Sequence, residues 1–300
     1  VIKMQKILTA SHSKHIKNIK SPKAKNASER LSLKKSRFYY NKNTQLNIRN
    51  HSSKLKSILY FSICFIPVLF GFLIPFMFIL NNTIETMHMA DITKVFNLTV
   101  NSISVSTVSS FLVIIFALFF LYVERISKSK INFYINNTIS LGYAIPGAVI
   151  ALSLIILFRD SLLVGTFWVL LFAYVIRFLA VGKSPIQSSL EKQPDTIDDT
   201  GKNLGLGPFS LLKKVHLPIN KFALLSAFIV TFIDVLKELP ITLILRPFNF
   251  DTLATQTYEF ANEEMLPLSS IYSLIIIILG SVMLLILKNF IDKELNVSKS

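Results

Sequence analysis

Six apolar runs dominate the sequence, and each is long enough to cross a lipid bilayer as a helix. About twenty apolar residues span the ~30 Å hydrocarbon core of a membrane. Only 16% of the residues are charged, where a water-soluble domain has about a quarter. The sequence therefore predicts an all-α membrane protein with six transmembrane helices. The predicted spans are residues 57–81, 101–122, 138–158, 161–181, 222–245 and 269–287.

Basic residues are concentrated in the first 56 residues of the chain. This segment contains fifteen Lys and Arg residues and one acid, Glu29, whereas the rest of the chain is nearly neutral. It ends with Lys54 and Lys56 directly before the first apolar run, where basic residues keep a segment in the cytoplasm and contact anionic lipid headgroups. We therefore predict a disordered, basic cytoplasmic arm over residues 1–56 that contacts the lipid membrane and no nucleic acid.

The remaining charges predict the orientation of the six-helix domain, which covers residues 57–288. If the arm is cytoplasmic, the segments 123–137, 182–221 and 288–300 are cytoplasmic too, and they contain twelve Lys and Arg residues. The three opposite segments contain three basic residues and seven acids. By the positive-inside rule, this asymmetry predicts a multi-pass protein with both termini in the cytoplasm and a cytoplasmic tail over residues 289–300.

The longest polar segment between predicted spans covers residues 182–221. Pro194 can open a first short helix in it, because proline suits the first helical position. Acids suit the positive end of the helix dipole, and this helix has three of them in its first turns: Asp195, Asp198 and Asp199. Gly205 and Gly207 are predicted to end the helix, as glycines after a helix C-terminus do.

A second short helix, "PFSLLKKVHL", is predicted to begin at Pro208. Its apolar side chains Phe209, Leu212 and Val215 recur at helical spacing and so share one face. An apolar face beside the membrane needs to be covered, either by the protein's own helices or by a groove on a partner subunit.

The polar segment resembles the EAA loop of ABC-transporter permeases, whose pattern is Glu-Ala-Ala, three residues, Gly, nine residues, Ile, any residue and Leu-Pro. Here Asp199-Thr200-Gly201 stands at the first three positions, Gly205 follows after three residues, and Val215-His216-Leu217-Pro218 follows after nine more. The spacing matches, although both alanines are replaced. The resemblance implies the type I ABC importer permease (MetI-like) fold and a coupling helix that docks on a separate ATPase subunit. The implied coupling residues are Asp199, Gly205, Phe209, Leu212, Val215, Leu217 and Pro218.

Two further segments are similar to those of ferric-iron permeases, in which two six-span halves are fused: "GYAIPGAVIAL" (142–152) and "DVLKELPITLILRP" (234–247). The resemblance covers about residues 55–288. It implies that the chain corresponds to the second six-span half of such a fused permease, with the basic arm as the linker between the two halves. It implies a bacterial inner-membrane importer for ferric iron. The implied partners are a pair of ABC ATPase subunits, a periplasmic or other extracytoplasmic substrate-binding protein and a second six-helix permease half.

Asp234, Lys237 and Glu238 are charges within the fifth predicted span. Their spacing places them on one face of a continuous helix, with Lys237 able to pair with Asp234. Charges at membrane depth cost about 2.5 to 3.5 kcal/mol each on insertion scales, and they normally face a bundle interior or water. Two interpretations remain open: a translocation-path or gating cluster, or a buried ion network that fixes the packing of the two halves.

The residues alone leave other functions open. A polytopic membrane anchor or sensor could use the same polar segment to bind another cytosolic protein, and a permease of the same class could carry thiamine or sulfate. An enzyme is not expected, because no Ser/His/Asp or Cys/His set lies on one side of the predicted membrane and ATP hydrolysis would belong to the separate subunit. The sequence predicts no cofactor, and it assigns no metal ligands.

Overall fold

The computed structural model of the chain describes residues 54–127 and 129–297. Every regular element in these ranges is a helix, in agreement with the predicted all-α class. The predicted basic arm lies outside the described residues, apart from its last three positions. The α-helices of the described ranges are α1 (Lys54–Val68), α2 (Ile74–Thr86), α3 (Ile92–Ser127), α4 (Lys130–Ile139), α5 (Gly147–Phe158), α6 (Phe167–Glu191), α7 (Thr196–Asn203), α8 (Pro208–Leu211), α9 (Leu217–Ile219), α10 (Lys221–Leu236), α11 (Pro240–Leu245), α12 (Leu253–Asn262) and α13 (Leu266–Val297).

Four helical runs are each long and apolar enough to cross a membrane. They are Lys56–Met89, Ile92–Ser127, Phe167–Glu191 and Leu266–Asp292. Two further runs qualify only as bent pairs: Lys130–Ala144 with Gly147–Phe158, bent by 110°, and Pro208–Ile219 with Lys221–Leu236, bent by 77°. By length and composition, the described residues therefore contain four candidate spans, or up to six if each bent pair counts as one.

The first span is a single helical run made of α1 and α2. A π turn, Leu69–Leu73, joins them, with Pro67 before it and Pro75 after it. Proline removes a backbone donor from a helix, and a wider turn is one way in which the helix accommodates that loss. The predicted span 57–81 is confirmed as helical, and the run extends to Met89.

The third predicted span, 138–158, is not one continuous helix. α4 is followed by a 3-10 turn, Ser140–Ala144, and helical structure then stops at Ile145, which has extended backbone angles. Pro146 disfavours a helical conformation in the residue before it, so the interruption has a local cause. α5 begins anew at Gly147.

The fourth predicted span, 161–181, is shifted towards the C-terminus. α6 begins six residues later and continues to Glu191. The polar segment predicted over 182–221 therefore starts ten residues too early. Residues 192–220 lie between α6 and α10 and are called the inter-span loop below.

Lys183 shows why the helix continues through residues that look polar in the sequence. Its side chain is buried within the bundle. Its Nζ donates to the carbonyl of Asn136 and, at 3.0 Å, to Ser140 Oγ. These bonds satisfy the ammonium group inside the protein, so this part of α6 packs against α4 and the 3-10 turn instead of forming a loop.

The fifth predicted span, 222–245, is also interrupted. α10 ends at Leu236, and Lys237 caps it with non-helical backbone angles. α11 then begins at Pro240, a residue that suits the first turn of a helix because its missing N–H is not needed there. The predicted continuous helix is therefore two helices joined at residues 237–239.

The segment 246–268, predicted as a connection, contains α12. The N-terminus of α12 is closed by a capping box, in which Thr252 and Thr255 bond each other's backbone N–H through their hydroxyls at 3.3 and 2.9 Å. α13 then continues past the end of the sixth predicted span to Val297. The tail predicted from residue 289 is thus a continuation of the last helix over its described part.

The centre of the bundle is formed by α3, α6 and α10, which pack against one another. Most of the apolar stretch of α6 is buried, whereas no residue in the most apolar stretch of the first span is. α5 packs against α11, so the interruption before α5 and the interruption before α11 come together. At the periphery, α13 packs against α2, α10 and α12.

Candidate functional site

The inter-span loop folds as two short helical segments separated by Gly205. Gly205 has a φ of 78°, a backbone conformation that glycine adopts without steric cost. Its N–H donates to the carbonyl of Lys202 at 2.9 Å, and the N–H of Leu206 donates to the carbonyl of Gly201 at 3.0 Å. This pair of bonds is a Schellman motif, so the helix end predicted at Gly205 is confirmed.

The second helical segment begins at Pro208, as predicted, and continues through a π turn to Ile219. Its predicted apolar face is only partly exposed. Phe209 is 76% exposed, whereas Leu212 and Val215 are half-buried. The π turn changes the helical phase after Leu211, so the even spacing of these three side chains does not give one uniform exposed face.

A surface groove of about 300 Å³, open to the outside, lies between the two helical segments of the loop. Its lining is mostly apolar and consists of Thr196, Ile197, Thr200, Gly201, Leu204, Leu206 and Val215. Val215 therefore turns towards the first helical segment, while Phe209 remains available on the surface.

Gly201 stands where the pattern has its last alanine, and it is buried against the second helical segment. A Cβ at this position would lie 2.4 Å from Leu211 Cδ1, far closer than carbon atoms pack. Leu211 is almost completely buried and fills the space that an alanine methyl would need. The departure from the pattern thus has a packing cause.

Arg125, at the end of α3, holds the first helical segment of the loop. Its Nε donates to Asp198 Oδ2 at 2.7 Å, and both side chains are largely buried. Its Nη1 donates to the carbonyl of Leu190 at 2.8 Å, and its Nη2 to the carbonyl of Pro194 at 3.4 Å. One side chain therefore joins α3 to the end of α6, to the start of the loop and to α7.

His216 holds the second helical segment to the first. Its Nε2 lies 2.7 Å from Asp198 Oδ1, so Asp198 bonds Arg125 with one oxygen and His216 with the other. The histidine Nδ1 lies 3.2 Å from Gln193 Oε1, and the Gln193 amide donates to Asn220 Oδ1 at 2.9 Å. We call Arg125, Asp198, His216, Gln193 and Asn220 the loop cluster.

Tyr122 adds a further connection between α3 and the loop. Its hydroxyl donates to the carbonyl of Pro208, and its ring meets the His216 ring edge to face with centroids 5.6 Å apart. Among the predicted loop residues, Asp199 and Pro218 are exposed and Leu217 is half-buried. The acid that holds the loop to α3 is therefore Asp198, next to the predicted Asp199.

A second group of charges lies where the third and fifth predicted spans are interrupted. Arg177 of α6 approaches Glu238 with Nε and Oε2 3.3 Å apart, and its Nη1 donates to the carbonyl of Ile145 at 2.8 Å. The Glu238 carboxylate also accepts a long bond, 3.4 Å, from the N–H of Ile241 in α11. We call Arg177 and Glu238 the break pair, since they join both interruptions to α6.

The predicted common face of Asp234, Lys237 and Glu238 is wrong. α10 ends between the first and the second of these residues, so the chain no longer keeps the helical spacing. Asp234 and Lys237 do pair, at 2.9 Å, with Lys237 62% exposed. Glu238 follows the end of α10 and is buried beside Arg177.

Sequence reasoning missed Arg125, Arg177 and His216. Arg177 carries a usable signal, because a charge inside an apolar run needs a partner. Arg125 carries none, since a basic residue at the end of a span also satisfies the positive-inside rule. Its acid partner Asp198 is 73 residues further along the chain.

The part of the chain that the structure describes contains no group of three His, Cys, Asp or Glu residues that could hold a metal ion. Two acids at the α12 end of the bundle pair with a basic residue. Arg246 bonds Asp251 and, at 2.7 Å, Glu259.

The chain matches a protein family described as the binding-protein-dependent transport system inner membrane component, over residues 118–297. The Fe(3+)-transport system permease protein FbpB 2 of Haemophilus influenzae is 28% identical to it over 195 residues. That match covers 64% of this chain and 38% of the relative, so the chain spans well under half of the relative's length. A solved structure, the MetNI methionine ABC transporter in an inward-facing conformation, shares the fold with a TM-score of 0.55 at 15% identity, over 68% of this chain and 99% of that chain.

Proposed function

Because the chain belongs to the family of binding-protein-dependent transport system inner membrane components, we propose that it is one half of a ferric-iron permease in an ATP-driven importer. It works by alternating access, with the inter-span loop and both chain termini in the cytoplasm. The substrate arrives from an extracytoplasmic binding protein. A separate pair of ATPase subunits drives the change between the outward-facing and inward-facing conformations, which we call the switch.

Coupling to the ATPase is the part of this proposal that the loop geometry supports best. Two short helical segments are held in a defined arrangement by Gly205 and the loop cluster, and Phe209 is exposed beside them. An exposed aromatic on a rigid helical segment suits insertion into a groove of a partner. Leu217 and Pro218 help to place the segment, and Phe209 supplies its main apolar contact, with the half-buried Leu212 beside it.

Ferric iron is proposed as the substrate because the relative from Haemophilus influenzae is named as an Fe(3+) permease. That relative is much longer than the matched region, which supports a second six-helix half as a partner of this chain. Whether that half is fused or separate makes no difference to the proposed mechanism.

The two interrupted spans are proposed to line the translocation path and to move during the switch. Lys237 is largely exposed next to Asp234 within an otherwise apolar region, and a charge there needs water or a partner half to face. Glu238 and Arg177 hold the two interruptions together from the side of α6. Asp234 and Lys237 then face the path, while the break pair sets its width.

The coupling assignment is tested by replacing Gly205 with valine. A β-branched residue at positive φ costs about 1–2 kcal/mol, so the Schellman motif should open and the loop should lose its arrangement. We expect the inserted protein to retain less ATPase subunit on purification and to lose uptake of radiolabelled ferric iron.

Gly207→Val is the matched control. Gly207 has a φ of −67°, and an added Cβ at either glycine meets nothing within 4 Å, so only the backbone requirement differs. Wild-type association and uptake in Gly205→Val would contradict the coupling role. If the wild-type protein binds no ATPase, a membrane anchor or sensor is favoured over a permease. If the wild-type importer takes up thiamine or sulfate and not iron, that compound is the substrate in place of ferric iron.

A further inference from the structure

α3 contacts both ends of the bundle through polar side chains. Ser102 and Arg125 are separated by twenty-three residues, which corresponds to about 35 Å at 1.5 Å per residue. A single helix therefore connects the inter-span loop with the segment that carries α12.

At the loop end, the contacts of α3 reach both helical segments of the inter-span loop. Arg125 bonds Asp198 and the carbonyls of Leu190 and Pro194, and Tyr122 bonds the carbonyl of Pro208. Because these acceptors belong to both helical segments and to the end of α6, the loop cannot shift as a unit without moving the end of α3 or breaking these bonds.

At the opposite end, α3 holds the start of α12. The N–H of Leu253 donates to the buried Ser102 Oγ at 2.8 Å, and Asn101 Nδ2 donates to the carbonyl of Asp251 at 3.1 Å. Leu98 of α3 packs with Leu253 and Tyr272 in a small apolar cluster. Residues 251–262, called the α12 segment below, are thus attached to the same helix as the loop.

We propose that Arg125 is the positioning residue that makes α3 a direct mechanical link between the inter-span loop and the α12 segment. On the proposed function, on which this inference rests, loading of the binding protein at the α12 end changes ATP hydrolysis at the loop end through α3. Arg125 is not a contact of substrate or ATPase; it transmits displacement by holding Asp198 and two backbone carbonyls at once.

The test uses the complete importer in proteoliposomes, with ATP hydrolysis measured with and without iron-loaded binding protein. Arg125→Lys retains the positive charge beside Asp198 but cannot hold three acceptors together. We expect stimulation by the loaded binding protein, taken relative to each variant's own basal hydrolysis per bound ATPase, to fall by at least about fivefold, the lower end of typical coupling between sites. Arg159→Lys is the matched control, because Arg159 lies in an exposed ion pair with Asp160.

A double-mutant cycle distinguishes transmission from local structure. If Arg125 and Ser102 act through the same helix, Arg125→Lys combined with Ser102→Ala should reduce stimulation no further than the stronger single variant. Unchanged stimulation in Arg125→Lys, or additive losses in the cycle, would overturn the proposal. If Arg125→Lys fails to insert, Tyr122→Phe, which removes only the hydroxyl bond to Pro208, replaces it in the same cycle. A wild-type complex without ATPase would instead refute the proposed function.

Discussion

The loop cluster and the break pair place an arginine and an acid where helices are interrupted, but they differ in how well their donors are satisfied. Arg125 bonds a carboxylate and two carbonyls, and both oxygens of Asp198 have partners. Arg177 bonds one carbonyl, and its buried Nε approaches Glu238 without forming a hydrogen bond among the described residues. At 3.3 Å this contact is an ion pair with longer geometry than the 2.7 Å hydrogen-bonded pair of Arg125 and Asp198.

This difference separates a fixed connection from one that can rearrange. A saturated cluster loses several bonds in any new arrangement, so it moves as a unit. An unsaturated pair loses less and can gain a bond elsewhere. We therefore expect the inter-span loop to move as a rigid body, and the two interruptions to change their geometry when the permease switches.

The largest expected effect is at the break pair. Glu238→Ala leaves Arg177 buried without its acid, and removing one partner of a buried ion pair costs about 3–5 kcal/mol. We expect the free energy of unfolding in mixed micelles to fall by that amount.

The double variant Arg177→Met with Glu238→Met tests whether the two residues stabilise the protein as a pair. It removes both charges and should recover most of the lost stability while ferric-iron uptake stays low. If the double variant is as unstable as the sum of the two single variants, the residues do not act as a pair.

A smaller effect is expected at the loop cluster. Asp198→Asn keeps the shape of the side chain but removes the charge that Arg125 and His216 share, and hydrogen bonds to charged groups contribute about 1.5–3 kcal/mol. We expect a loss of stability in this range. Asp199→Asn is the matched control, since Asp199 is the exposed neighbour in the same helix turn. A larger loss in Asp199→Asn would show that the acid of the sequence pattern, and not Asp198, holds the loop.

The smallest effect on stability is expected at Lys237. Lys237 is exposed although its partner Asp234 is largely buried, and glutamine can still donate to Asp234, so Lys237→Gln should lower the free energy of unfolding by only about 1 kcal/mol. Ferric-iron uptake should nevertheless fall, because the charge faces the proposed path. A stability loss as large as that of Glu238→Ala would favour the alternative, a buried ion network that fixes the packing of two halves.

The sequence predicts the parts of the fold that local chemistry determines. Apolar runs give helices, and Gly205 and Pro208 mark the two helical segments of the loop because positive φ and a first-turn proline are local requirements. The interruptions at Pro146 and Pro240 are visible as prolines, but a proline in a membrane helix can also be only a kink. At Pro146 the helix is interrupted, and Arg177, a donor in another apolar run, satisfies the carbonyl of Ile145 there.

The candidate site is predictable from the sequence only in outline, because most of its contacts join residues that are far apart in the chain. Spacing identifies the loop and the pair Asp234–Lys237, which are neighbours in the chain. It does not identify Arg125 as the partner of Asp198 or Arg177 as the partner of Glu238. Those relations depend on how α3, α6 and α10 pack, and on where α10 ends.

Gly201 and Leu211 have a consequence for recognising related sequences. A methyl group at position 201 would occupy the place of Leu211 Cδ1, so the buried leucine would have to change its side-chain conformation, and the two positions constrain each other. A sequence pattern that requires alanine at position 201 would miss chains in which the side chain at position 211 fills this space. We expect substitutions at these two sites to be correlated, with a smaller residue at 211 wherever alanine stands at 201.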